Sequence, residues 1–306
     1  MALTLTEAAK LSNDVLVKGV IETIVKDSAV LKYLPFTEVV GNSLTYNRED
    51  DMATATFYDV GDTWSESTPT FTQMTASLKI LGGDADIDNY IKKTRSNIQD
   101  IAAEIIQLKS KAVSHQFEDT FIYGDTGTNA KQFNGLRKLI DTGTSSSQVI
   151  ACGATGATLT LSKLDELIDA VKGGKPDLLL MSRRSRRKIT ALVRAASAQL
   201  IEVGRNEYGD LVEYYQGIPI GISDWILDTH VVASSVETAT TGGTCSTIYA
   251  IRFGSDGIQG LQNGGITVEQ LGSLETKDAT RVRIKWYVGL ADFSLVARAA
   301  LIGVQD

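Results

Sequence analysis

Residues 84–124 read DADIDNYIKKTRSNIQDIAAEIIQLKSKAVSHQFEDTFIYG, and the 40 positions between Gly83 and Gly124 contain neither glycine nor proline. Ile87, Ile91, Ile98, Ile101, Ile105, Leu108, Ala112, Phe117 and Phe121 succeed one another at steps mostly of three, four or seven. That spacing places them on one face of an α-helix. It predicts a helix from about Asp88 to Tyr123, roughly 50 Å long at about 1.5 Å per residue. Ordinary globular helices run about 8–20 residues, so this element reads as a structural spine. Asp84, Asp86 and Asp88 crowd its start, where the helix dipole is positive. Gly124 supplies a stop.

Upstream, residues 42–81 predict a long hairpin or extended loop. Leu44 and Tyr46 alternate with polar residues on the way out. Met74, Ala76, Leu78 and Ile80 alternate with Thr75, Ser77 and Lys79 on the way back. The tip between them is acidic: Glu49, Asp50, Asp51, Asp59, Asp62 and Glu66 stand against Arg48 alone, with Trp64 and Phe71 displayed near Pro69. A loop of this length with no core of its own is uncommon in a compact domain and reads as built to rest on another molecule. Before it, residues 1–41 read as an arm. Thr6 caps an expected helix bearing Leu11, Leu16, Val20, Ile24 and Val25, and the pattern ends near Pro35.

Downstream, residues 141–162 form a Thr/Ser/Gly connector. An alternating region follows: helix Leu161–Val171, strand Leu178–Met181, helix Ser185–Leu200, and a strand over 217–222 placed at an edge or an end by Pro219. Residues 236–246 read as a polar loop. From Ile248 onward the segments 248–251, 265–268, 281–286 and 293–304 read as β. The chain is a mixed α+β protein with a helix-rich middle.

Composition narrows the function. With 306 residues, 43% hydrophobic and 22% charged, the chain matches ordinary soluble proteins. No apolar run approaches the ~20 residues of a membrane span, and no basic segment followed by an apolar core predicts secretion. Cys152 and Cys245 lie outside any CxxC pair, which predicts free thiols in a reducing compartment and no zinc site. A net charge of −7 disfavours a dedicated nucleic-acid binder, yet suits a protein that encloses nucleic acid without gripping it.

Catalytic equipment is sparse. His115 lies inside the predicted spine and His230 after a turn, each reading as an ordinary surface or core histidine; no HExxH or defensible triad is present. The pairs Gly124…Gly127, Gly153…Gly156 and Gly242-Gly243 fit no phosphate loop and read as turns. The acidic tip lacks the ligand spacing of a calcium loop. We therefore expect no catalytic, cofactor or metal residues. The basic run Arg183, Arg184, Arg186, Arg187 and Lys188 has three readings. It is a solvated helix start, a phosphate contact, or a partner for a neighbouring subunit's acidic segment, the first being favoured in an acidic chain.

The order of pieces resembles one known family. Phe121–Gly127 leading into Phe133-Asn134-Gly135-Leu136 is similar to the Gly-Asp-x-Gly … Gly-Leu pattern that follows the spine helix in major capsid proteins of tailed bacteriophages, the Hong Kong 97-type fold. Pro176–Ser182, Gly217–Ile220 with Ser223-Asp224, and Val282–Leu290 with Phe293 and Ala297 resemble later pieces of that family in the same order.

The resemblance implies an α+β Hong Kong 97-type capsid fold. Its parts would be an N-terminal arm (1–41), an extended β-hairpin loop (42–83), a peripheral domain with a long spine helix (84–160), a mixed α/β axial domain (161–250), and return strands ending in a final strand (251–306). It implies self-assembly into hexamers and pentamers of an icosahedral virion capsid around double-stranded DNA, built in the host cytoplasm, with no membrane. A separate scaffold protein and a portal are expected as partners, because some relatives carry a longer N-terminal scaffold segment. Crosslinking is not expected, since Lys79 at the base is the loop's only lysine. The expected intersubunit contact sets Glu49, Asp50, Asp51, Asp59, Asp62 and Glu66, anchored by Trp64 and Phe71, over Lys92, Lys93 and Arg95 of a neighbour's spine or over its Arg183–Lys188 run. The alternative is an encapsulin-like nanocompartment shell around a cargo enzyme. A soluble enzyme would need a nucleophile, base or metal cluster that the sequence does not offer.

Overall fold

A computed structural model of the chain describes residues 28–51, 54–68, 70–95, 101–140, 148–196, 201–205 and 211–306. The expected arm helix from Thr6 lies outside them. Helix α1 (Ala29–Tyr33) is capped by the Ser28 hydroxyl, which accepts from the Leu31 N–H, and β1 (Phe36–Glu38) follows. A hairpin of β2 (Ser43–Asp51) and β3 (Thr70–Ser77) leads to β4 (Lys79–Asp88), α2 (Asn89–Arg95) and α3 (Ile101–Tyr123). Next come α4 (Leu136–Ile140), β5 (Val149–Ala151), β6 (Ala157–Thr158), α5 (Leu161–Ala170), β7 (Leu178–Met181) and α6 (Arg183–Ala195). The rest is β: β8 (Ile201–Arg205), β9 (Leu211–Tyr215), β10 (Ile218–Ile222), β11 (Val231–Ala233) and β12 (Val236–Ala239). It closes with β13 (Ser246–Ile251), β14 (Ile258–Ser273), β15 (Ala279–Asp292) and β16 (Arg298–Gln305).

Two sheets organise these elements. The larger runs β5-β16-β13-β7-β10-β9-β8, with β6 also on β16, and the smaller runs β1-β14-β15-β4. In β7, Leu178 and Leu180 enter one core while Leu179 and Met181 enter the other. A strand buried on both faces needs such an uninterrupted apolar run. The second core is closed by α5 and α6 through Leu164, Leu167, Ile189 and Val193. The first core holds the C-terminal part of α3, where Phe117, Phe121 and Ile122 meet Ile284, Trp286 and Val288 of β15 as well as Leu180, Tyr249 and Ile302 of the larger sheet. Phe117 lies 4.9 Å from Trp286 and 5.7 Å from Phe133 between ring centroids. The long helix is thus wedged between the two sheets.

Several expectations change. The run predicted as one helix from Asp88 contains α2 and α3, with residues 96–100 between them outside the described residues. Asp84, Asp86 and Ile87 are strand residues. Asp84 and Asp86 face Arg283 and Arg281 across the β4–β15 ladder, so cross-strand pairing places them there, and the helix dipole does not. Asp88 alone caps, accepting from the Tyr90 N–H at 2.8 Å. At the other end Gly124 is needed for close approach, because a Cβ there would collide with the Phe133 carbonyl oxygen. Of the two places expected for Pro219, the end holds and the edge does not: β10 is an interior strand, and Pro219 lies near its start, where β9 pairs and β7 joins only from Ile220 onward. The 236–246 loop contributes β12, folded back on β11. Residues 293–297 are a connection between the two sheets and not strand.

Candidate assembly surface

The β2–β3 hairpin changes character along its length. At its base, Leu44, Tyr46, Ala76 and Leu78 pack on Val39, Leu261, Ala291 and Phe293. The Tyr46 hydroxyl donates to the Asp292 carbonyl (2.8 Å) and accepts from the Asp292 N–H (3.2 Å), and its ring lies 4.7 Å from Phe293. Burial raises the pKa of that hydroxyl, while its backbone bond to Asp292 pulls it down. Arg48 approaches Asp292 at 3.6 Å, so the tip's one cation is engaged with the body.

Beyond Arg48 the hairpin leaves the body. Glu49 and Asp51 pair across β2–β3 with Phe71 and Thr70, and Asp50 lies between them. Residues 54–68 fold mainly on themselves. Tyr58 stacks on Trp64 at 4.4 Å, Tyr58 and Ser65 share a 2.8 Å hydroxyl contact, and Asp62 Oδ2 accepts from the Asp59 N–H at 2.7 Å. Yet Phe57 and Val60 are fully exposed, Trp64 is 78% exposed and Phe71 63%. Burying such a side chain is worth roughly 1.5–3 kcal/mol, and four of them stand exposed on this one loop. The sequence displays Trp64 and Phe71 at the tip, and both are exposed. Phe57 and Val60 were missed, although an apolar pair in an otherwise polar run was the available signal.

The two expected basic targets differ. The Arg183–Lys188 run opens α6, where Ser182 caps by accepting from the Ser185 N–H. Four of its cations are matched within the chain: Arg183 with Asp224 (2.6 Å), Arg184 with Asp228 (3.5 Å), Arg186 with Glu213 (2.7 Å) and Arg187 with Asp306 (3.4 Å). Hydrogen bonding to Asp224 raises the Arg183 pKa further. Lys92, Lys93 and Arg95 lie on α2, with Lys109 and Lys111 further along on α3. Among the described residues no salt bridge joins Asp59, Asp62 or Glu66 to a cation of the same chain. The side chains of Glu49, Asp50, Asp51, Lys92 and Arg95 lie outside the described residues.

The histidines serve the interior. His230 is fully buried, 2.9 Å from the Tyr123 hydroxyl on one side and 2.9 Å from the Thr247 hydroxyl on the other, with Glu237 at 3.2 Å. Glu237 also meets Arg137 at 2.7 Å, and hydrogen bonds and charge from His230, Arg137 and Thr247 outweigh burial and hold its carboxyl below the usual range. This network ties α3, α4, β12 and β13 together. His115 lies 6.0 Å from the Trp225 ring. Cys152 and Cys245 are unbridged, and burial pushes the Cys152 thiol up to about 11. Among the described residues no group of three His, Cys, Asp or Glu side chains is placed to hold a metal, and no helix is long and apolar enough to cross a membrane.

Residues 11–295 match the model of the phage capsid family. No curated protein matches the chain. Among solved structures, the holo-SrpI encapsulin complex of Synechococcus elongatus superposes with a TM-score of 0.70 at 16% identity, covering 92% of this chain and 89% of that one. A structure from Microbacterium phage Oxtober96 gives 0.65 at 14% identity with 100% of both chains covered. The capsid of a native GTA particle gives 0.65 at 14% identity with 92% of each covered.

Proposed function

The chain belongs to the phage capsid family, and from that premise we propose how it builds a shell. It is a major capsid protein, a structural component of the virion. Copies assemble into hexamers and pentamers that close an icosahedral shell around double-stranded DNA. The observation that carries this reading is the hairpin: anchored at its base, it holds four exposed apolar side chains at its tip, and among the described residues no salt bridge joins Asp59, Asp62 or Glu66 to a cation. Heterologous contacts of this kind close into rings when the rotation permits, and many weak contacts per subunit make the assembled state effectively irreversible.

The tip (Glu49, Asp50, Asp51, Asp59, Asp62, Glu66, with Phe57, Val60, Trp64 and Phe71) lies over a neighbour's Lys92, Lys93 and Arg95. The internal matching of Arg183, Arg184, Arg186 and Arg187 favours this target over the α6 run. The domain division follows the resemblance: arm 1–41, loop 42–83, peripheral domain 84–160, axial domain 161–250 and return strands 251–306. In this division β5, β6 and β16 extend the axial sheet, so the final strand is axial. A scaffold and a portal are the expected partners, and the net charge of −7 keeps packaged DNA off the wall.

Reversing Asp50 and Asp51 to lysine is expected to abolish shells in negative stain while leaving the subunit folded. Adding K92E and K93E is expected to restore them. Normal shells from the first variant would remove the contact. The encapsulin superposition motivates a second reading, a nanocompartment shell, for which co-purification of a folded cargo enzyme is the distinguishing result.

A further inference from the structure

Asp292 stands at a junction of three parts. It ends β15 in the smaller sheet, and six residues later Arg298 begins β16 in the larger one. The Arg298 guanidinium donates to the Asp292 carboxylate, to the Ser294 carbonyl at 2.9 Å and to the Leu139 carbonyl at the end of α4 at 2.7 Å. Both members of this ion pair are buried. From the other side the hairpin takes hold of the same residue, through both Tyr46 hydrogen bonds to the Asp292 backbone and through Arg48. Beneath this anchor the packing is not solid. A cleft of about 310 Å³ lies beside the hairpin base and the joint, lined in part by Tyr46, Arg48, Met74, Leu139, Leu290 and Arg298.

We propose that Asp292 is a coupling node, through which the pose of the exposed hairpin and the joint between the two sheets set one another. Leu44, Ala76 and Leu78 seat the hairpin base by apolar packing beside Ala291 and Phe293, and Tyr46 and Arg48 add its polar hold on Asp292. Their shared partner is the residue that also fixes where the chain crosses from one sheet to the other. Coupling of this kind is reciprocal. A hairpin docked on another molecule steadies the joint, and a rotation at the joint re-aims the hairpin.

The test is amide hydrogen exchange on unassembled subunits, so its outcome is independent of the shell reading. Y46F removes both bonds to the Asp292 backbone while keeping the ring on Phe293. Exchange is expected to rise about fivefold, the equivalent of losing one ordinary hydrogen bond, at Asp292 and also in peptides covering 136–140 and 294–299. R48Q is expected to raise the same peptides by a smaller factor, and it carries the comparison if Y46F fails to fold. F71A, further along the hairpin, is the control and should leave 136–140 and 294–299 unchanged. Faster exchange confined to the hairpin and Asp292 itself, in both anchor variants, would overturn the proposal.

Discussion

The larger sheet and the hairpin tip spend apolar side chains in opposite ways. In β7, β13 and β16 nearly every side chain is buried, shared between a core under α5 and α6 and a core around α3. In the hairpin tip, Phe57, Val60, Trp64 and Phe71 face water while the loop's hydrogen bonds preserve its shape. The first region is complete within one subunit. The second is held by contacts within its own loop and, among the described residues, leaves those side chains exposed. On the reading proposed above, stability and assembly reside in different residues and can be changed separately.

The largest expected effect lies in the core. Phe117→Ala empties a site between β15, Phe133 and Phe36 and is expected to cost about 3–5 kcal/mol, read as a drop in the denaturation midpoint of the unassembled subunit. A cost near zero would break the contrast. Asp292→Asn should come next, at roughly 3 kcal/mol, because it leaves Arg298 buried without its counter-charge; burial already pushes the Asp292 carboxyl up and the Arg298 guanidinium down against their mutual attraction.

Acid supplies a milder probe. Hydrogen bonds from Arg283 and Arg281 hold the Asp84 and Asp86 carboxyls below the usual range. For carboxyls depressed on folding, the stabilisation is present above the unfolded pKa of about 3.9 and is lost as pH falls through the folded values. Exchange in β4 should therefore rise between about pH 4 and 2 before α5 and α6 loosen, and simultaneous loosening would count against it.

The smallest effect on the subunit belongs to the tip. Phe57→Ala and Trp64→Ala should each change subunit stability by less than about 0.5 kcal/mol while removing most of the assembled material in light scattering. Loss of subunit stability comparable to Phe117→Ala would erase the distinction between the two regions.

Much of the fold was legible because its signals are local. Leu178–Met181 reads as a buried strand, the runs from Leu161 and Ser185 read as amphipathic helices, and the period of two in 74–80 marks a hairpin strand. What escaped depends on partners distant in sequence. Asp84 and Asp86 resemble helix-start acids until Arg281 and Arg283, some two hundred residues away, are set opposite them. The basic run looks free until Asp224, Glu213 and Asp306 fold onto it. Of the candidate surface, charge and the large aromatics were visible. The shape of the tip was not, because the Tyr58–Trp64 stack and the Asp59–Asp62 turn follow from a loop conformation that no periodicity encodes.

The central claim, that a neighbour completes the hairpin, is tested most directly by oxidative footprinting of Trp64 in free subunits and in assembled particles. The account predicts ready oxidation in the free subunit and strong protection after assembly. Equal reactivity in the two states would contradict it.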